Sequence, residues 1–178
     1  MNGLKKVALC IIFILIFPTF LSAWEGKVVS VLDGDTLRIL KDGVQKTVRL
    51  ASIDCPENGQ PYGQAAKEFT ADLADRRTVN VRSAEADETG DIVAFVFVGR
   101  TDLNKELLKA GLAWRDKQDA DNPELAELEF KARSAKRGLW KEPEPVPPWE
   151  WRKGERAPSK KLIFEISGKA CTCVQKNR

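Results

Sequence analysis

The run Val48-Arg49-Leu50-Ala51-Ser52-Ile53-Asp54-Cys55-Pro56-Glu57 constrains this chain more than any other stretch. It carries an apolar, strand-like segment into two carboxylates, and an upstream segment does the same at Asp33-Gly34-Asp35-Thr36. Each alone reads as an ordinary polar turn between strands. Together they gather three aspartates, a glutamate and an arginine at the ends of strand-like runs. Hard oxygen ligands for a divalent cation, a spare carboxylate and a fixed guanidinium are what phosphodiester cleavage requires.

The surrounding pattern is that of a small barrel. Trp24 to Leu32 reads as a strand with Val28, Val29, Val31 and Leu32. Thr36 to Leu40 and Gln45 to Ile53 read as two more, joined by the hairpin-type turn Lys41-Asp42-Gly43. Tyr62 to Asp75 has helical spacing, with Ala65, Ala66, Phe69 and Leu73 on one face. Val79 to Arg82 and Ile92 to Val98 supply the fourth and fifth strands. A short helix starts near Asp102, with Leu103, Leu107 and Ala110 inward and Gly111 as its stop. Asn122-Pro123 caps another helix with an inner face of Leu125, Leu128, Ala132 and Ala135. Five short strands with inserted helices predict an α+β fold, a five-stranded OB-type barrel with about three α-helices.

The ends of the chain read differently. Lys5-Lys6, the apolar run Val7 to Phe20 and Leu21-Ser22-Ala23 make residues 1–23 a signal peptide. An uncleaved anchor is the alternative, weakened by the shortness of the run and by Pro18. Cleavage near Ala23 places the protein outside the cytoplasm, secreted or periplasmic, with a domain over residues 24–152. Near its end, the Pro-rich stretch Glu142 to Pro148 must be extended, and Trp149 and Trp151 are expected to pack back onto the domain. Residues 153–178 form a basic, polar tail with one apolar island, Leu162 to Ile166, expected to be poorly ordered.

Lys5 and Lys6 are two of the 29 basic residues, so their removal leaves 27 against 26 acidic ones. A nucleic-acid site must therefore be local rather than a broad basic field. The absence of histidine excludes imidazole catalysis and imidazole metal ligands. Cys55, Cys171 and Cys173 give the exported chain an odd cysteine count, which supports neither a zinc site nor a disulfide framework.

Asp33-Gly34-Asp35-Thr36, the Arg49 to Glu57 run, Tyr62-Gly63 opening the first helix and Arg137-Gly138-Leu139-Trp140 closing the domain resemble the staphylococcal nuclease (thermonuclease) family. The Pro-Pro-Trp-Glu-Trp-Arg ending resembles its bacterial members. The resemblance implies a calcium-dependent phosphodiesterase acting on DNA and RNA, single strands preferred, working as a monomer without an obligate protein partner. It implies Asp35 and Asp54 as calcium carboxylates, the backbone carbonyl of Cys55 as a further ligand, and Asp33 as an acid behind them. Glu57 would position or deprotonate the attacking water. Arg49 would clamp the phosphate, and Tyr62 would be a weak substrate contact.

The chain also departs from that pattern. Asp91 stands where the family carries a second catalytic arginine, within the acidic run Glu85 to Asp91. Arg115-Asp116-Lys117-Gln118-Asp119 lacks the tyrosines that bind the nucleotide, and Tyr62 is the chain's single tyrosine. These departures imply reduced activity, unless Arg82, Arg100 or Arg115 reaches the phosphate. The rivals are a non-catalytic OB module for nucleic acid or a cell-envelope partner, and a phosphodiesterase for small substrates.

Overall fold

The computed structural model describes residues 22–86, 91–116 and 122–154. The signal segment up to Leu21, residues 87–90 of the acidic run, residues 117–121 and the tail from 155, with Cys171 and Cys173, lie outside the described residues.

The elements run β1 (Ser22–Val31), β2 (Thr36–Lys41), β3 (Val44–Leu50), β4 (Ile53–Asp54), α1 (Gly63–Ala74), β5 (Thr78–Ala86) and β6 (Ile92–Val98). They continue with β7 (Thr101–Asp102), α2 (Leu103–Ala110), β8 (Trp114–Arg115), α3 (Pro123–Ser134) and α4 (Pro148–Trp151). A 3-10 turn, Gly138–Lys141, precedes α4. Strand order is β3-β2-β1-β5-β6, and β3 also pairs with β6, closing a five-stranded barrel. That closing pair is parallel, matching Val48 to Ile92 and Leu50 to Ala94. The expected barrel is present, with β7 added to β6 and a separate β4–β8 pair. Among the described residues no helix is long and apolar enough to cross a membrane.

Alternation explains the strands. In β2, Leu37 and Ile39 are fully buried while Arg38 between them is exposed. They meet Val28, Val48, Val79, Val81 and Val96 in one core, each such side chain contributing about 1.5–3 kcal/mol on burial. The β2–β3 turn is of the type its residues demand, with Asp42 and Gly43 both at positive φ (49° and 78°).

The helix faces need correction. In α1 the fully buried residues are Gly63, Ala66, Thr70 and Ala74, and Ala65 is exposed. Small residues face the barrel because α1 lies close to it; Phe69 and Leu73 flank that seam, half-buried. In α2, Leu103 and Leu107 are inward as expected, Ala110 is half-buried, and Leu108 and Asn104 are buried as well. In α3, Leu125 and Ala132 are buried and Leu128 half-buried, but Ala135 is exposed because the helix ends at Ser134.

The expected third strand breaks in two. β3 stops at Leu50, and Ser52 takes a left-handed conformation (φ 65°) before β4 begins. Three hydrogen bonds hold this corner: Ala51 N–H donates to Ala94 O (2.8 Å), Asn104 Nδ2 donates to Ala51 O (2.7 Å), and Asp116 N–H donates to Ser52 O (2.9 Å). Asn104 also accepts from Val96 N–H at 3.3 Å, which satisfies its buried amide. The corner sets the direction in which Asp54 leaves the barrel.

Candidate active site

The Asp33–Thr36 segment is fastened to the barrel end on every side. Leu50 N–H donates to Asp35 O (2.8 Å), and Thr70 Oγ1 of α1 donates to Gly34 O (2.6 Å). A Cβ on Gly34 would stand 2.7 Å from the Cβ atoms of both Ala66 and Cys55, so only glycine lets the loop approach this closely. Asp35 is buried: Oδ1 accepts from Thr36 Oγ1 (3.1 Å) and Oδ2 from Cys55 N–H (2.6 Å). That second bond joins the two sequence motifs across 20 positions. Asp33 Oδ1 accepts from Asp35 N–H at 3.0 Å, so Asp33 braces the loop from behind.

Burial, chiefly, pushes the Asp35 carboxyl up to about 8, helped by the charges of Asp33 and Asp54 and opposed by Cys55 N–H. Asp54, also buried, is pushed upward by burial too, with Arg152, then Arg49, working against it. The charge of Asp54 thus reaches Asp35, which joins the two motifs electrostatically. The Cys55 thiol is buried and held well above its usual range by burial and then by Asp35 and its acidic neighbours, so it is no nucleophile.

Arg49 leaves β3 with Nη2 3.8 Å from Asp54 Oδ1. The second guanidinium in the site comes from Arg152, just past α4. It holds Asp54 with both ends of its fork, Nη1 to Oδ1 at 3.2 Å and Nη2 to Oδ2 at 2.7 Å, and Nη1 also donates to Glu57 Oε1. Sequence reasoning gave Arg152 no role. Its only signal was membership of the Pro-Pro-Trp-Glu-Trp-Arg ending. Arg82, Arg100 and Arg115, the alternatives considered for a second arginine, do not line the cavity. Arg82 lies instead over the Phe97 ring at 4.3 Å.

Two anchors bring Arg152 here. Gln60, buried and unremarked in the sequence, accepts from Glu57 N–H (2.9 Å) and donates to Val146 O (2.7 Å), tying the Glu57 loop to the Pro-rich segment. Trp149 then packs edge-on against Trp114, centroids 5.7 Å apart, while Trp114 meets Trp140 at 4.4 Å. The expectation that Trp149 folds back onto the domain holds. Tyr62 packs beside this tryptophan group and near Glu142, outside the cavity lining.

The result is an open cavity of about 370 Å³. Asp33, Asp35, Glu57 and Asp91 line it with Arg49 and Arg152, and Thr36, Cys55 and Pro56 complete the wall. Four carboxylates face two guanidinium groups. Among the described residues, no three His, Cys, Asp or Glu side chains are grouped closely enough to hold a metal by themselves. The donors nevertheless suit a hard cation: two buried carboxylates, with further oxygens available from the main chain, water and a phosphate.

Residues 47–142 match the family model described as staphylococcal nuclease homologue. The chain belongs to the staphylococcal nuclease family. It is 35% identical over 150 residues to an uncharacterized endonuclease of Escherichia coli, covering 84% of this chain and 98% of that protein. It is 34% identical over 165 residues to a micrococcal nuclease of Shigella flexneri, covering 86% and 94%. An uncharacterized endonuclease of Haemophilus influenzae is 34% identical over 131 residues, covering 73% and 74%. For a staphylococcal nuclease homologue the barrel was expected; the arginine that lies beyond the matched residues was not.

Proposed function

We propose that the protein is an exported, calcium-dependent nuclease that hydrolyses phosphodiester bonds of DNA and RNA, prefers single strands and acts as a monomer. The observation that carries this reading is the meeting of Asp35, Glu57, Arg49 and Arg152 at one open cavity, with Asp54 paired to both arginines behind its wall, in a chain of this family.

Charge supports the cation. A phosphodiester approaching four carboxylates and two guanidinium groups meets a net negative wall, and a divalent ion reverses that balance. Asp35 and Asp54 would hold the ion, with the Cys55 carbonyl, water and a phosphate oxygen completing its shell and Asp33 bracing the loop. Bound there, calcium would draw charge from the phosphate as a Lewis acid. Glu57 would take a proton from water as the water oxygen attacks phosphorus. The P–O bond to the leaving sugar oxygen breaks in the same displacement, and that oxygen takes a proton from solvent. Arg49 would hold the phosphate oxygens on which charge grows. Asp91 on the cavity wall supports an activity below that of a site without this repulsive charge. Arg152 shares the cavity with Arg49.

The test is incubation of purified protein with single-stranded DNA, with calcium and with chelator. Calcium-dependent cleavage is the expected result. Absence of cleavage in both overturns the nuclease reading and favours a binding module. Faster turnover of a small aryl phosphodiester than of DNA favours a small substrate.

A further inference from the structure

We propose that Arg152 is a second phosphate-binding arginine, delivered by the C-terminal arm and parked on Asp54 and Glu57 until a cation and a phosphate arrive. The inference rests on the nuclease reading above and concerns how its site is completed.

Four observations carry it. The guanidinium of Arg152 lies on the cavity wall that Arg49 also lines, and these are the two cations among its lining residues. Its fork is engaged edge-on by a carboxylate, the same planar, two-oxygen geometry that a phosphate offers. Its partners are Asp54 and Glu57, the groups assigned to the cation and to the attacking water. Finally, the arm is built to aim it. Gln60 binds Val146 O, buried Pro148 starts α4, and Trp149 seats on Trp114, fixing the backbone just ahead of Arg152.

The ion pairs of Arg152 then have a defined fate. A cation on Asp54 takes over the negative charge that Arg152 now offsets, and the guanidinium is repelled toward the cavity, where a phosphate accepts it. Its release of Glu57 frees that carboxylate to face the water. Arg152 therefore competes with the cation in the free protein and cooperates with it once substrate is bound. A strap that served only to hold the C-terminal arm would show neither behaviour.

The two roles predict opposite signs in one variant, which makes the test decisive. In Arg152→Ala, calcium affinity measured by titration calorimetry should rise several-fold, because Asp54 no longer has a competing cation. In the same variant kcat/KM on single-stranded DNA should fall by about 10²–10³-fold, as for a lost transition-state donor, with most of the loss in kcat. Arg152→Lys, which keeps the charge without the fork, should fall between the two and cost more in kcat than in calcium affinity. Melting temperature and the near-ultraviolet circular dichroism of the tryptophans report whether each variant keeps its fold; if Arg152→Ala does not, Arg152→Lys and Arg152→Gln carry the same comparison. Unchanged kcat/KM, or a parallel loss of calcium affinity and activity in a folded variant, overturns the proposal. If the wild-type protein cuts no DNA, the nuclease reading falls first. Arg152 is then judged by dimethyl phosphate binding in the presence of calcium, which Arg152→Ala should weaken and which, if unweakened, sinks the inference too.

Discussion

The two halves of the site are held in different ways. The barrel half, Asp33 to Thr36 with Arg49, sits on strands of a closed sheet, and its anchor bonds are short and buried. The arm half, Glu57, Gln60 and Arg152, is held by part-buried and exposed side-chain bonds, those of Gln60 and of the Arg152 fork, and by a tryptophan stack. Buried bonds are costly to break without replacement, whereas bonds near solvent are exchanged for water at little cost. Under the proposed function the firmly held half would carry the cation and one phosphate clamp, and the more loosely held half the water-activating carboxylate and the second arginine.

That contrast can be broken most sharply at Arg49. Arg49→Ala should lower kcat/KM on single-stranded DNA by about 10²–10³-fold, as for a lost oxyanion donor, with its melting temperature nearly unchanged because the side chain is half exposed. A fall of less than tenfold would mean that the barrel half contributes no clamp. Next in size is the cation. Calcium at about 100 times its Kd should stabilise the folded protein by about 2.7 kcal/mol, and Asp35→Asn with Asp54→Asn should abolish that shift in a thermal melt. A wild-type melting temperature unmoved by millimolar calcium would leave the barrel half without its ion.

Two anchor variants probe the halves directly. Thr70→Val strands the buried Gly34 carbonyl and should cost about 1–3 kcal/mol in a denaturant titration. Gln60→Ala removes a buried side chain whose two bonds are only partly buried, and should cost less than Thr70→Val while lowering the cutting rate by loosening the arm. Equal stability costs for the two would erase the distinction drawn here. The smallest effect is expected at Asp91: Asp91→Asn should raise the rate a few-fold by removing a like charge from the cavity wall, read in the same cleavage assay.

How far the sequence discloses all this depends on the range of the interaction. β6 and α2 are legible almost to the residue, because a run dense in Val and Phe, the Asp102 cap and Gly111 (φ 70°) are local signals. The carboxylate motifs are legible as motifs, and their union follows once the barrel is drawn. The phase of α1 is not, since Ala65 and Ala66 are alike to a periodicity count and only close packing against the barrel selects one. Nor is Arg152, whose partners Asp54 and Glu57 lie 98 and 95 positions away. Its placement depends on the Gln60 to Val146 bridge and on tryptophan packing, neither of which leaves a repeat or spacing in the chain.

The parallel pairing of β3 with β6 has a consequence for the order of folding. Arg49 faces Val93 across that pair, so its strand has one open side until a segment more than forty residues later is available. Pairings this distant close slowly, because the chain entropy of the intervening loop must be lost before any contact rewards it. The arm cannot seat before Trp114 and Trp140 have a barrel to lean on. A chain folding as it is released from its N-terminus would therefore hold its carboxylates and its two arginines apart until nearly all of the domain is available, and competence to cut nucleic acid would be the last property that folding confers.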